Sequence, residues 1–353
     1  MRTYPSTFLG SLLTAAALAL GLVAPSALAA EEKIEVKVGM LLPEESIFGV
    51  SAKMWGRLVD VRTGGRVQIK LYPAGQLGKE RAQFEGLLTG THEVFIHTSL
   101  YTGKFPELRF WDLPFAFPSS DDVARLIYSP IADDITAAFS CQNMAFLSQG
   151  GFGYNSFTMR NGPINTPNDF KGVKHRVPPS RSRIILFEAL GASPSTVAYG
   201  ELYQALLTGV ADGQDNPLSL IYAAKFHEAT SYLSILNYIY NPYIMAAGKP
   251  FWDKLDKPTQ DVLLTTAREV QGWSIKQADL DDAIYLAKIR EERPQLKVNT
   301  LDPKTLPQWQ ERSKVVYDAF REEAGPAWAD AVSELLKGGH WKSPGRTGLR
   351  SCN

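Results

Sequence analysis

Apolar positions recur along this chain with two periods, one of two residues and one of about 3.6, and the two alternate from residue 34 onward. Residues 34–38 read as a strand, 41–45 as a loop, and Ser46 as the cap of a helix reaching about 61, which Thr63-Gly64-Gly65 ends. Val67, Ile69 and Leu71 alternate as a half-buried strand that Pro73 stops. A helix over 79–88 and a strand over 93–96 follow. Strand, helix, strand, helix, strand predicts parallel pairing with right-handed crossovers.

The alternation restarts near 146–153, which predicts a second α/β lobe, and 240–248 reads as a return to the first. A helical pattern then covers 258–292, with Val262, Val270, Trp273, Leu280, Ile284 and Ala287 at apolar positions. At ~1.5 Å per residue such a helix exceeds ~45 Å and should lie across both lobes. Helices over 303–323 and 326–336 close the pattern. The expected organisation is a leader, 1–29; lobe I, 30–152 with 240–270; lobe II, 153–239 with 271–325; and a C-terminal helix and tail, 326–353.

The stretch 169–217 carries the candidate chemistry. In Val173-Lys174-His175-Arg176-Val177 the side chains alternate, and Pro178-Pro179 ends the ladder, so Arg176 should sit at a strand's carboxyl end. Ligands bind at such ends in open α/β sheets. A helix over 181–190 ends at Gly191, a second over 200–208 ends at Gly209, and Gln214-Asp215-Asn216-Pro217 reads as a turn with Asn216 extended before the proline. The rigid fork of an arginine pairs bidentately with a carboxylate. On residues alone a structural ion pair of Arg176 with Glu201 or Asp212 stands as the alternative.

This stretch resembles the periplasmic solute-binding proteins of the tripartite ATP-independent (TRAP) transporters, the DctP-like family. Asp169, Lys171-Gly172, Lys174, and Arg176-Val177-Pro178 match, as do Gly191-Ala192, Pro194, Glu201, Tyr203, Ala205-Leu206, Thr208-Gly209-Val210, Asp212-Gly213-Gln214 and Asn216-Pro217. Phe170, Tyr199, Leu207 and Asp215 stand where the family usually has Leu, Phe, Gln and Glu. Tyr72-Pro73, Gln76-Leu77-Gly78 and Asp112-Leu113-Pro114-Phe115 match further upstream. The resemblance implies an α/β, two-lobe periplasmic-binding-protein-like fold with a hinge and a long helix spanning both lobes. It implies a small-molecule carboxylate held by Arg176, an amide contact from Asn216 and an aromatic wall at Tyr199. Glu80, His97, Thr98, Ser99 and Leu42 align with first-lobe positions near the ligand, and Tyr154 and Phe115 are expected as further wall. Asn155 stands where some members carry a second arginine, which points to a monocarboxylate with an apolar or hydroxylated body; Arg181 or Arg183 could compensate. The implied partners are the membrane subunits of the transporter.

Composition adds little and excludes something. The 353 residues are 44% hydrophobic and 21% charged, with 37 basic and 37 acidic side chains. A net charge of zero gives no reason to expect nucleic acid or an anionic membrane as partner. Arg2, the apolar run 8–23 and Ala27-Leu28-Ala29 read as a cleaved export signal, so the expected location is the periplasm and the expected state a monomer. An oxidising compartment permits a Cys141–Cys352 disulfide, but 342–353 reads as a poorly ordered polar tail, which favours two free thiols. No hydrolase, metalloprotease, phosphate-loop or dinucleotide motif occurs, and the histidines lack metal-ligand spacing, so no enzyme activity, metal or cofactor is expected. A secreted enzyme using the cleft, or an exported ligand sensor, are the alternatives.

Overall fold

The computed structural model describes residues 32–352. Nine strands run in chain order: β1 Ile34–Met40, β2 Val67–Tyr72, β3 Val94–His97, β4 Met144–Met159, β5 Arg176–Val177, β6 Ser195–Thr196, β7 Gly213–Pro217, β8 Tyr232–Gly248 and β9 Lys297–Thr300. All but β5 and β6 belong to one mixed sheet of order β2-β1-β3-β8-β4-β7, with β9 on β8. The expected parallel pairing holds for β2, β1 and β3, each joined through a helix, Ile47–Arg62 or Glu80–Thr89. Ser46 caps the first of these, its Oγ accepting from the Gly49 amide.

The remaining pairings depart from that pattern. β4 and β8 are antiparallel over nearly their whole lengths, from Met144 opposite Gly248 to Met159 opposite Tyr232. Both strands traverse the first lobe and continue into the second, so the restart near 146–153 and the return at 240–248 are two passages of one ladder. The expected turn 214–217 is strand β7: Pro217 bars Asn216 from helical backbone, and the free edge of β4 pairs the extended run from Asn155–Pro217 to Met159–Gly213. The expected strand 173–177 is short, because Val173 turns back to donate to the Phe170 carbonyl; Arg176 and Val177 pair with Ser195 and Thr196, and His175 makes a single parallel bridge to Gly213.

The long helix occupies Lys257–Glu292, capped by Asp256, whose Oδ1 accepts from the Thr259 amide at 2.7 Å. It spans the lobes as expected. Near its start, Trp55 donates to the Leu263 carbonyl (3.1 Å) and Arg62 pairs with Glu269 (2.8 Å). At its end, Tyr222 donates to Glu292 (2.5 Å) and Arg293 reaches the Glu228 carbonyl (2.9 Å). Its buried face was misread, however. Of the apolar positions expected inward, Val270 is buried, but Leu280 and Ile284 are 60% and 46% exposed and Ala287 is exposed. The helix middle instead seats polar groups on β4: Gln271 Oε1 accepts from the Gln149 amide (3.2 Å) and Ser274 Oγ from the Gly151 amide (3.0 Å). A β-strand with irregular register leaves amides unpaired there, and side-chain acceptors satisfy them. Trp111 braces the same spot, donating to Gln149 Oε1 (3.1 Å) and stacking on Phe117.

The apolar core follows these passages. One cluster packs β1–β3 against the helix Ile47–Arg62 through Val36, Val38, Trp55 and Val59. Another, around Leu202, Leu206, Ile221, Leu233 and Ile289, belongs to the second lobe. A third crosses between them, from Phe95, Tyr101 and Phe139 to Phe157, Phe170, Phe187 and Trp309. The C-terminal tail corrects the reading of a loose end with free thiols. Cys141 and Cys352 form a disulfide with Cα atoms 5.1 Å apart, the Ser351 amide donates to buried Glu107 (2.9 Å), and Trp341 donates to Asp134 (2.8 Å). The polar residues of the tail find partners on the first lobe, which is why polarity did not mean disorder. The expected leader, 1–29, lies outside the described residues, and among these no helix is long and apolar enough to cross a membrane.

The closeness of helix and strand sets a test. A Cβ on Gly151 would meet the Ile275 Cα and the Ser274 carbonyl oxygen, both at 2.6 Å, whereas one on Gly200 meets nothing within 4 Å. Gly151→Ala should cost at least about 1–3 kcal/mol of stability, and Gly200→Ala should stay within about 0.5 kcal/mol of the parent. Urea unfolding midpoints measure both; equal midpoints would mean that the helix moves away freely.

Candidate functional site

The glycine-flanked Phe152 marks where β4 leaves the first lobe. Gly153, with φ +118, takes the register shift between Gly151 and Gly153. Strand alternation then sends Asn155 into a cavity between the lobes and Tyr154 to the other face. From the first lobe this cavity is lined by Leu41, Leu42, Phe48, Glu80, His97, Thr98, Ser99, Thr102 and Asp112. The second lobe contributes Asn155, Arg176, Pro178, Pro179, Arg183, Tyr199, Asp215, Asn216 and Leu220, with Phe152 and Asn241 at the crossing.

Most residues expected at the ligand therefore meet in one place: Leu42, Glu80, His97, Thr98, Ser99, Asn155, Arg176, Tyr199 and Asn216. Two do not line it. Tyr154 points into the core, its hydroxyl donating to the Phe117 carbonyl (2.9 Å) and its ring edge-on to Tyr240. Phe115 sits at φ +60 with its amide bound to the Tyr238 carbonyl (2.6 Å) and its ring packed toward Tyr238. The aromatic and aliphatic wall consists instead of Phe48, Phe152, Leu220 and Tyr199, with Phe48 and Phe152 edge to face at 4.8 Å.

Arg176 is 5% exposed, and its one hydrogen bond among the described residues runs from Nε to the Val197 carbonyl (3.0 Å). Neither acid considered as a structural partner reaches it. Glu201 lies 3.8 Å from Lys79 at the surface, and Asp212 accepts from Asn161 (3.2 Å) and the Lys174 amide (2.9 Å). Burial pulls the Arg176 pKa down to about 10, against the opposing pull of Asp215 and Glu80. The cation is thus held in the wall by its Nε, while its remaining side-chain N–H groups have no hydrogen-bond acceptor among the described residues.

Arg183 is the opposite case. It is buried, and its guanidinium binds Asp112 through Nε (3.0 Å), Asp215 through Nη1 (2.7 Å) and the Tyr238 hydroxyl (2.9 Å). Burial opposes its charge, but Tyr238, Asp215 and Asp112 outweigh that and hold its pKa well above the ordinary value. With two carboxylates already neutralising it, Arg183 does not replace the absent second arginine for a ligand; Arg181 pairs with Glu323 at the surface and does not line the cavity. Asn155 is likewise committed, donating to Asp215 and accepting from Asn241. Asn216 donates to Gln214, its neighbour two positions back on β7.

Asp215 is where these bonds converge. It accepts from Asn155, Arg183, Tyr238 (2.6 Å) and His175 Nε2 (3.1 Å). Burial works against its charge, yet Arg183 and the donors from His175 and Tyr238 hold its carboxyl well below the usual carboxylate range. Burial keeps His175 neutral, so its Nε2 carries the proton that it donates. On the first-lobe side, burial also lowers the His97 pKa. His97 Nδ1 accepts from the Leu100 amide (3.2 Å), which leaves the proton on Nε2, 3.3 Å from Glu80 Oε1. The sequence offers Arg183 only as a possible second cation, gives Asp112 and Asp215 as motif positions without a role at the cavity, and does not single out Phe152. An acid inside the apolar run 110–117 and a phenylalanine among three glycines were the available signals.

Because the folded pKa of Asp215 is depressed, its stabilisation is present above the unfolded-state value of about 3.9 and fades as pH falls toward the folded one. Asp215→Asn removes the acceptor shared by Arg183, His175, Tyr238 and Asn155 and leaves Arg183 only Asp112, so breaking this buried network should cost roughly 3–5 kcal/mol at pH 7. The gap to the parent should shrink below pH 4. Chemical unfolding at pH 7 and pH 3 checks this, and a pH-independent gap would contradict it.

Comparison with known proteins follows the same lines. Residues 38–323 match the model of the family described as bacterial extracellular solute-binding protein, family 7 (DctP). The C4-dicarboxylate-binding periplasmic protein of Rhodobacter capsulatus is 26% identical over 328 residues, covering 92% of this chain and 96% of that protein. The 2,3-diketo-L-gulonate-binding periplasmic protein of Escherichia coli is 28% identical over 228 residues, 64% of this chain and 70% of that protein. A crystal structure of a TRAP periplasmic solute-binding protein from Sulfurospirillum deleyianum with bound succinate superposes with a TM-score of 0.80 at 28% identity, covering 86% of this chain and 99% of that one. By sequence match over most of its length and by the two-lobe fold built around its cavity, the chain belongs to the DctP family of extracellular solute-binding proteins.

Proposed function

We propose that this chain is the periplasmic receptor of a TRAP transporter, a monomer that captures a small organic acid between its lobes and delivers it to the membrane subunits. The observation that carries this reading is the buried Arg176 guanidinium, which faces the cavity and makes no ion-pair contact with a carboxylate among the described residues, Asp215 and Glu80 attracting it only from beyond contact. Burying a charge is costly unless it is paired, and a ligand carboxylate supplies the pair. Tyr199, Phe48 and Phe152 provide apolar wall, and Asn216 a directional amide at the ligand. Residues 30–152 with 240–270 close against 153–239 with 271–325, and β4 and β8 flex at the crossing. The work is binding rather than chemistry, so no cofactor or metal is required. Relatives are named for C4-dicarboxylates and for 2,3-diketo-L-gulonate, and one solved structure holds succinate. Membership therefore leaves the acid itself open.

Arg176→Lys retains a charge but loses the planar fork. It should weaken binding by roughly 30-fold to several thousand-fold, the equivalent of about 2–5 kcal/mol. The melting midpoint of ligand-free protein should change little. Calorimetric titration with whichever of succinate, erythronate or gluconate raises the parent's melting midpoint most would measure the first, and a ligand-free thermal melt the second. Near-parental affinity, or a collapse of the ligand-free fold, would sink the assignment.

A further inference from the structure

The first-lobe wall of the cavity carries a charge of its own. Glu80 opens the helix Glu80–Thr89, and its Oε1 is buried without a hydrogen bond among the described residues. No lysine or arginine among the described residues makes an ion pair with it, although Arg176 across the cavity attracts it; its ion-pair-distance neighbour is His97 Nε2 at 3.3 Å, on a ring whose pKa burial lowers. Beside it, Thr98 spends its hydroxyl proton on the Pro242 carbonyl (2.8 Å), so only its lone pairs remain to offer. Across the cavity the available cation is Arg176, because Arg183 is consumed by Asp112 and Asp215. Asp112 is itself saturated by Arg183 and the Ser180 hydroxyl (2.8 Å).

We propose that Glu80, positioned by His97, is the specificity-determining residue of this cavity: it accepts hydrogen bonds from hydroxyl or ammonium donors at the far end of the ligand and excludes a second carboxylate. This deepens the reading that Arg176 holds the acid group and rests on it. The argument is one of matching charge and hydrogen-bond capacity across the two lobes. A desolvated carboxylate oxygen whose nearest donor, His97 Nε2, makes no formed hydrogen bond to it is costly to keep, and a donor on the ligand lowers that cost on closure. A second ligand carboxylate would lie against Glu80 with no free cation to offset it, and like charges in a desolvated site repel. The bland alternative is that Glu80 serves only the N-terminal end of its own helix, where an acidic side chain is favourable.

Matched acids of four and six carbons separate these readings by calorimetry on the mature chain. Butanoate and hexanoate carry no donor; erythronate and gluconate carry hydroxyls; 4-aminobutanoate and 6-aminohexanoate carry an ammonium; succinate and adipate carry a second carboxylate. At one length or both, a donor-bearing acid should bind about tenfold or more tightly than the unsubstituted acid and the diacid of equal length. Whether the hydroxyl or the ammonium series leads identifies the donor. Glu80→Gln should weaken that preferred acid by roughly 10- to 100-fold and narrow its lead over the diacid, without lowering the ligand-free melting midpoint. Diacids binding as tightly as donor-bearing acids to the parent protein would overturn the inference alone. So would an unchanged order of preference in Glu80→Gln, whether or not its midpoint falls. Failure of every one of these acids to bind the parent would overturn the carboxylate reading along with it.

Discussion

A single buried carboxylate holds the second lobe together and ties it to the first. Asp215 sits on β7 and draws donors from β4 (Asn155), β8 (Tyr238), the segment entering β5 (His175) and the helix Arg181–Ala189 (Arg183). Arg183 then extends the network to Asp112 on the first lobe. Four donors on one buried acid form a network whose members cannot be removed singly without stranding the others. The positions of Asn155 and Arg176 beside the cavity follow from this junction, since both lie on strands that it pins.

The network also divides labour between two buried arginines seven residues apart in sequence. Arg183 has its charge fully matched by protein acids, and Arg176 does not, although both line the same cavity. Apart from the family motif, local residue pattern does not separate them, because both belong to the stretch from β5 into the following helix and their charge partners are distant in sequence. Asp112 and Asp215 come from 71 residues before and 32 residues after Arg183. The ion pairs that decide which arginine is free are long-range.

What was legible in the chain was local. The cap at Ser46, the stop at Pro73, the long helix from Asp256 and the C-terminal helices are written in short patterns, and the structure places them within a residue or two. The family motif pointed to Arg176, Asn216, Tyr199 and Glu80, and all four line one cavity. Features that depend on register were not legible. Leu280 and Ile284 look inward by period, yet the helix seats Gln271 and Ser274 on β4, because unpaired strand amides outbid apolar side chains at that seam. Tyr154 and Asn155 are both expected at the ligand, but neighbours on a strand face opposite ways, and after the shift at Gly153 it is Asn155 that lines the cavity while Tyr154 turns into the core. The disulfide escaped for a related reason: 211 residues separate cysteines that only the folded first lobe brings together.

The placement of Trp111 has an optical consequence. None of the seven tryptophans of the sequence is among the residues lining the cavity. A ligand that enters it therefore cannot quench indole emission by touching an indole ring. Trp111 instead donates to Gln149, whose own amide is bound by Gln271 of the long helix. A change in intrinsic fluorescence on adding an acid would therefore come through movement of the framework around the tryptophans, Trp111 at that joint among them, so the protein carries a built-in reporter of its framework rather than of its guest.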